Sequence, residues 1–281
     1  MTNEIDKYFE VAKKLILQAG EKLKDALNKE KIVKVKNPCK SLVTQYDTEI
    51  ESMLIARLAE EFPDHKFIAE ESYNTNEELQ LTDSPTWMID PIDGTTNFIH
   101  GFPHCCISVG LAINKQVELG IIFDPHNNQL FTAKRGAGTF VNGNQLKVSN
   151  TTKLKNSLII LEPLTFNWIP KMRDIGLGRI DALGNAADGV RSIGSAAIAM
   201  TLVAKGVADA FQMDHLKPWD VAAGLLLIEE AGGVVIDTKG GPLNIMKPQV
   251  IAAASDSLAR EISKLIIDTD LQTQRKRLKK T

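Results

Sequence analysis

Cysteine is scarce: Cys39, Cys105 and Cys106 are the only three in 281 residues, and two of them are adjacent. An odd set with neighbours makes a poor disulfide framework and lacks the C-x-x-C spacing of a zinc site, so a reducing compartment is expected. Long hydrophobic runs are missing as well. No stretch approaches 18 uncharged apolar residues, which argues against a membrane-crossing helix. Nor is there an excess of charge of one sign. Lys plus Arg is 33 and Asp plus Glu is 35, a formal net charge of −2. That is too near neutrality for a chain that wraps nucleic acid or an anionic bilayer. Glu4, Asp6, Lys7, Glu10, Lys13 and Lys14 leave no room for a signal-peptide core, and a cytoplasmic location is the expectation.

What is present is ordinary globular material, 43% hydrophobic and 24% charged, enough for a sizeable core. Ile5, Phe9, Ala12, Ile16, Ala19 and Leu23 recur at helical spacing, and a second helix fits Thr48 to Glu61 before Pro63. Phe67-Ile68-Ala69 and Thr86 to Ile89 read as short buried strands. Cys105–Ile113, Val117–Phe123 and Gln129–Lys134 read as an antiparallel sheet punctuated by turns such as Asn114-Lys115 and Asn142-Gly143. Helix and strand then alternate: Ser195–Lys205, Val207–Phe211, Pro218–Ala231, Val234–Asp237, Val250–Ala254 and Ser255–Ile267. This divides the chain into an N-terminal α+β half, 1–190, a C-terminal α/β half, 191–267, and a flexible basic tail, 268–281. The tail run from Arg275 to Lys280 reads as a solvated end rather than a nucleic-acid or lipid patch.

The richest segment is Trp87 to Phe98, WMIDPIDGTTNF. Asp-Pro and Asp-Gly alone are turn formers. Here Asp90 closes an apolar run, so its carboxylate emerges at a strand's C-terminal end, where ligands gather in α/β sheets. Asp93 suits a helix N-cap, with Gly94 allowing close approach and the following amides free. Two carboxylates beside an anion cradle would repel a phosphate unless cations lay between them, so bound divalent metal is expected. Every candidate ligand is oxygen. His100 and His104 are separated by Gly101 and Pro103 and share no helical face, which favours Mg²⁺, or Mn²⁺, over Zn²⁺.

Other motifs fail on spacing. An EF-hand begun at Asp90 meets Thr95 and Gly101 where Gly and Glu are needed, and a D-x-D-G-T phosphatase motif meets Pro91. Gly136-Ala137-Gly138 meets Val141 where a dinucleotide fingerprint needs its third Gly.

The run Asp90–Phe98, with Glu70-Glu71 before it and Trp219-Asp220 far downstream, resembles the inositol monophosphatase family of metal-dependent, lithium-sensitive phosphatases. Leu42-Val43-Thr44 with Asp47, the block Val190 to Ala197, and Glu230-Ala231-Gly232-Gly233 extend the likeness, in the family's order, from the first helix to the last. The resemblance implies an α/β protein folded as a layered α-β-α-β-α sandwich, acting as a homodimer. It implies metal ligation by Glu70, Asp90, the backbone carbonyl of Ile92, Asp93 and Asp220. Thr95 and Asp47 become a water-activating pair assisted by Glu70, and Ile92, Gly94, Thr95, Gly194, Ser195, Ala196 and Asp220 become substrate contacts.

From the residues alone, Glu70 projects from a strand end, Asp220 sits favourably at a helix start after Pro218, and Ser195 is a helix N-cap. The expected activity is Mg²⁺-dependent hydrolysis of myo-inositol monophosphate or a similar small polyol phosphate by metal-activated water, with no histidine base and no nucleic-acid or membrane partner. One departure stands out. Met213 occupies the place where many of these phosphatases hold an inositol hydroxyl with a glutamate, and its neighbours Gln212 and Asp214 point to the strand's other face. A related sugar- or nucleotide-phosphate phosphatase, or a catalytically weakened metal-binding regulator, is therefore kept as the alternative.

Overall fold

The structure, a computed structural model, describes residues 2–36, 42–73, 79–162 and 172–278. Cys39 lies outside the described residues, as do Lys279 and Lys280 of the basic run.

The apolar stripe that starts at Ile5 forms α1 (Thr2–Leu27), and α2 (Gln45–Glu61) packs beside it. Thr44 caps α2 by accepting from the Tyr46 amide at 3.2 Å. Before α2, β1 (Val33–Val35) and β2 (Leu42–Thr44) pair antiparallel.

Both helices cover one face of a seven-stranded sheet whose order follows the chain: β3 (Lys66–Ala69), β4 (Thr86–Asp93), β5 (Cys106–Ile113), β6 (Gln116–Asp124), β7 (Gln129–Lys134), β8 (Gly138–Val141) and β9 (Asn144–Gln145). A short helix, α3 (Thr95–His100), leaves the end of β4. Asn114-Lys115 and Asn142-Gly143 make the expected tight turns, each with φ positive at both residues.

The second sheet has five strands in the order β11-β10-β12-β14-β13, namely β11 (Gly189–Arg191), β10 (Leu158–Leu161), β12 (Ala210–Met213), β14 (Val250–Ala253) and β13 (Val234–Asp237). Between the sheets lie α5 (Ala196–Ala204) and α6 (Pro218–Glu230), and on the far face lie α4 (Arg173–Ala186) and α7 (Asp256–Leu278). Three apolar clusters fill the spaces between the layers: one around Trp87, Leu54 and Leu23, one around Met88, Phe211 and Leu227, and one around Ile251, Leu258 and Ile262. The result is the expected α-β-α-β-α sandwich. Among the described residues, no helix is long and apolar enough to cross a membrane.

Residue 190, the expected boundary, lies in β11 at the edge of the second sheet. The sheets part between Gln145 and Leu158, because β10 pairs parallel with both β11 and β12. The last helix also overruns its expected end at Ile267. Its polar continuation stays helical to Leu278, with Asp270 and Arg277 ion-paired to Arg179 and Asp174 of α4, so the described part of the expected tail, 268–278, is helix. The strand expected over Val207–Phe211 is Ala210–Met213, since Gly206 and the two residues after it complete the turn from α5.

The layer spacing depends on two facing glycines. Gly110 and Gly120 are partners across β5 and β6, and α6 rests on the bare backbone they leave. A Cβ on Gly110 would stand 2.7 Å from the Ala222 Cβ, and one on Gly120 would stand 2.6 Å from the Ala223 carbonyl oxygen. Gly120→Ala should therefore push α6 off the sheet, at a cost of about 1–3 kcal/mol. Thermal unfolding should register this as a fall of about 2–4 °C in Tm for each kcal/mol, and an unchanged Tm would mean that the helix has slack.

Candidate active site

β4 is buried along its whole length, and its residues alternate between two cores: Trp87 and Ile89 face α1 and α2, while Met88 faces α5 and α6. Asp90 continues the face of Met88. Strict alternation would then send Asp93 to the opposite face. The pairing of β4 with β5 instead slips between Asp90 and Asp93, at Pro91-Ile92, and this irregularity brings both carboxylates to one side. Proline suits the slip because it has no amide to lose from the ladder.

Asp93 is not the N-cap of the helix that follows it. That place belongs to Gly94 at φ +84°, where a Cβ would come within 2.6 Å of the His104 carbonyl oxygen. The Asp93 carboxylate reaches across to the start of α5, where Oδ2 accepts from Ser195 Oγ and from the Ala197 amide, each at 2.6 Å. Ser195 is the N-cap of α5, accepting from the Ile198 amide at 3.1 Å. Asp220 lies in the first turn of α6 after Pro218, and its Oδ2 accepts from the Lys217 amide at 2.7 Å. One carboxylate oxygen from each of Asp90, Asp93 and Asp220 falls within 4.8 Å of the others.

Beside this trio, Asp47 of α2 is fully buried, with Oδ2 accepting from the amide (2.8 Å) and the hydroxyl (2.5 Å) of Thr44. Thr95 Oγ1 lies 3.3 Å from Asp47 Oδ1 and 3.1 Å from the Ile92 carbonyl oxygen. Glu70 stands just past β3, outside the trio, with its Oε1 paired to Lys36 Nζ at 2.8 Å. The same ammonium meets Glu71 Oε1 at 2.5 Å. Gly194, Ser195 and Ala196 sit where α5 begins, and there the Ser195 hydroxyl is already committed to Asp93. Among the histidines, His65 accepts from Trp87 Nε1 at 3.0 Å, His126 faces Cys105, and His104 packs against Phe102.

Burial, and then the charges of Glu70, Asp93 and Asp220, push Asp90 well above the usual carboxylate range. Asp220 is pushed up in the same way, by burial and then by Asp93 and Glu70. Asp93 is raised only to about 6, because the Ser195 hydroxyl and the Ala197 amide oppose its burial. Burial also raises Asp47, and raises Glu71 to about 7. An all-oxygen set whose members obstruct one another's ionisation fits a hard divalent cation.

The chain matches the inositol monophosphatase family model over residues 4–270. It is 42% identical to inositol monophosphatase 2 of Rattus norvegicus over 255 residues, 90% of this chain and 88% of that one. It is 42% identical to inositol monophosphatase 1 of Bos taurus over 256 residues, 91% and 92% of the two chains. Its fold superposes on the Thermotoga maritima IMPase with a TM-score of 0.83 at 29% identity, covering 95% of this chain and 99% of that one. The chain belongs to the inositol monophosphatase family. It is accordingly a phosphoric monoester hydrolase of a metal-dependent family.

Sequence reasoning missed four residues that arrange this phosphatase's site. Lys36 neutralises Glu70, yet in the run KIVKVK it looks like any surface lysine. Buried Glu51 accepts from the Glu71 and Ser72 amides, each at 2.7 Å, and from the Ser72 hydroxyl, which fixes the turn behind Glu70. Glu162 does the same for the turn before Ser195, accepting from the Ile193 and Gly194 amides at 2.7 and 2.9 Å and from Ser192 Oγ at 3.0 Å. Asn97 ties α3 to that turn by donating to the carbonyl oxygens of His104 (2.7 Å) and Ile193 (2.9 Å).

The raised carboxylates give the cation-free phosphatase a definite pH response. A folded pKa above the unfolded value of about 4 means stability that is fully present below about pH 4 and lost as pH rises through the folded pKa. For Asp93 and Glu71 that loss runs through about 6 and about 7. A divalent cation bound to the folded state should offset it, by about 2.7 kcal/mol at a hundredfold excess over Kd. Thermal melts with chelator and with Mg²⁺ should differ more at pH 7 than at pH 5, and an increment independent of pH would show that Asp93 is not a binding group.

Proposed function

We propose that this phosphatase is Mg²⁺-dependent and hydrolyses myo-inositol monophosphate or a small polyol phosphate like it. The observation that carries the reading is the convergence of Asp90, Asp93 and Asp220 within 4.8 Å beside the Thr95–Asp47 pair. In this reading Glu70, Asp90, Asp93, Asp220 and the Ile92 carbonyl hold the cation, with Mn²⁺ as a substitute. When bound, the cation supplies positive charge for the phosphoryl and leaving oxygens and eases deprotonation of water.

The chain's own residues supply the rest. Thr44 pins Asp47 Oδ2, so Oδ1 is the oxygen that faces Thr95. A Thr95 hydrogen directed at that oxygen leaves the lone pairs of Oγ1 to accept a proton from an attacking water. Burial raises the proton affinity of Asp47, so its ionised Oδ1 is a ready acceptor for the proton that Thr95 passes on. Gly94 and Thr95 offer backbone amides to the phosphate. With Ser195 engaged by Asp93, the hydroxyls of the alcohol are assigned to Gly194, the Ala196 backbone and Asp220. An intact Thr95–Asp47 pair disfavours a catalytically weakened regulator. The family likeness is what supports extending the proposal to a lithium-sensitive homodimer in the cytoplasm.

A second reading concerns the alcohol. Met213 is half-buried at the end of β12 and packs with the core that holds Trp219, while Asp214 turns away to Arg179. A thioether offers no carboxylate acceptor to an inositol hydroxyl, so a sugar or nucleotide phosphate is the competing substrate.

A phosphate-release panel of inositol isomers, sugar phosphates and nucleotides, with and without Mg²⁺, decides between them. Inositol monophosphate should lead with Mg²⁺ present. A leading sugar or nucleotide would transfer the assignment, and no release from any ester would overturn it. Asp93→Asn should lower kcat by at least ~10²-fold with the fold intact by circular dichroism, the scale expected when charge stabilisation is withdrawn from a transition state. Near-normal turnover would remove Asp93 from the machinery.

A further inference from the structure

On the far side of β12 lies a charged group that the site so far leaves unused. Arg179 of α4 has a side chain only 6% exposed. Its guanidinium grips Asp270 of α7 with two bonds, Nε to Oδ1 at 2.8 Å and Nη2 to Oδ2 at 2.6 Å. The remaining arm, Nη1, donates to Asp214 Oδ2 at 2.6 Å. The other oxygen of Asp214 accepts from Thr238 Oγ1 at 2.7 Å and from Gln212 Nε2 at 3.0 Å.

Asp214 is the first residue beyond β12, and the chain then turns through His215 toward Asp220 in the first turn of α6. His215 sits at φ +63°, which a residue with a Cβ adopts unwillingly. The loop's other hydrogen bonds before α6 are weaker or local: the His215 amide reaches Gln249 Oε1 at 3.3 Å, and the Lys217 amide bonds to Asp220 itself; its far end is seated by buried Leu216 and Trp219, whose carbonyl accepts from Ser108 Oγ at 3.2 Å. The short contacts of Asp214 therefore fix where the loop begins. Those contacts require the arginine, because without it two acids would face each other with no cation between them. The rigid fork also sets direction as well as charge, holding one carboxylate with two prongs and the other with the third.

We propose that Arg179 is a positioning residue. It ties the last helix to the loop between β12 and α6, and through Asp214 it sets where Asp220 stands. The inference rests on the reading of Asp220 as a cation ligand, and it gives the helical extension past Ile267 a part in the active site.

The test uses the full chain and sets Arg179→Met against Asp174→Asn. The control removes the exposed Arg277–Asp174 pair, 2.9 Å long, which joins the same two helices. Hydrogen exchange is read over residues 213–222 and Mg²⁺ binding by calorimetry, both well below each variant's Tm. Arg179→Met should exchange that segment at least ~10-fold faster and bind Mg²⁺ about 10-fold more weakly. Asp174→Asn should change neither, and Arg179→Lys, which keeps the charge without the fork, should fall between. Arg179→Met that is only less heat-stable, with wild-type exchange or wild-type Mg²⁺ affinity, overturns the proposal. If Arg179→Met does not fold, Asp270→Asn, which leaves the Asp214 arm in place, is judged by the same two readings. Wild-type protein that binds no Mg²⁺ would sink the cation reading and this proposal with it, whereas normal wild-type binding with an indifferent variant would sink the clamp alone.

Discussion

Three carboxylates that bring one oxygen each within 4.8 Å of the others, among largely buried surroundings, repel each other, and the architecture is organised around that repulsion. At about 5 Å and an effective dielectric near 20, each like-charged pair opposes the arrangement by about 3 kcal/mol. The fold meets part of this with its own dipoles. Asp93 lies at the positive end of α5 and Asp220 in the first turn of α6, each also accepting a backbone amide. Lys36 answers for Glu70 and Glu71. What is left over is concentrated on Asp90 and Asp220, the acids most strongly held toward protonation.

The site's acids come from different layers, so layer packing sets their separation. Asp90 and Asp93 belong to the first sheet, while Ser195 and Asp220 belong to helices between the sheets. The bond from Ser195 to Asp93 at 2.6 Å and the seat of α6 on Gly110 and Gly120 therefore act on one distance, that between the end of β4 and the start of α6. A side chain added under α6 is felt at the carboxylates because packed layers transmit displacement rather than absorb it.

Elements whose signal is local were legible in the sequence. β4 reads as a continuous apolar run ending on an acid, Pro218 marks the start of α6, and Ser195 marks the start of α5, each as observed. What failed needed distant partners. The destination of Asp93 depends on a slip in pairing with β5 and on a helix that begins about a hundred residues later, so it read as the cap of its own helix. α4 carries Gly176, Gly178 and Gly184 and has little helical periodicity, and burial of Ile175 and Leu183 with packing on α7 makes it a helix. The stretch from Asp268 to Leu278 is polar enough to pass for a loose end, and its ion pairs to α4 are invisible along the chain.

The same division separates the acids that support the site from those that would bind in it. Glu51 and Glu162 each accept from two consecutive amides and a serine hydroxyl, so their lone pairs are directed into the protein and hold turns that neither helix nor sheet would satisfy. Asp90 accepts from the Ile92 amide at 3.0 Å, and Asp220 from the Lys217 amide, which leaves each with oxygen capacity facing the centre. In sequence all four are simply acidic residues near apolar runs. The number of donors that the fold supplies to each one distinguishes a strut from an acid left open toward the centre, and that number is a property of tertiary structure.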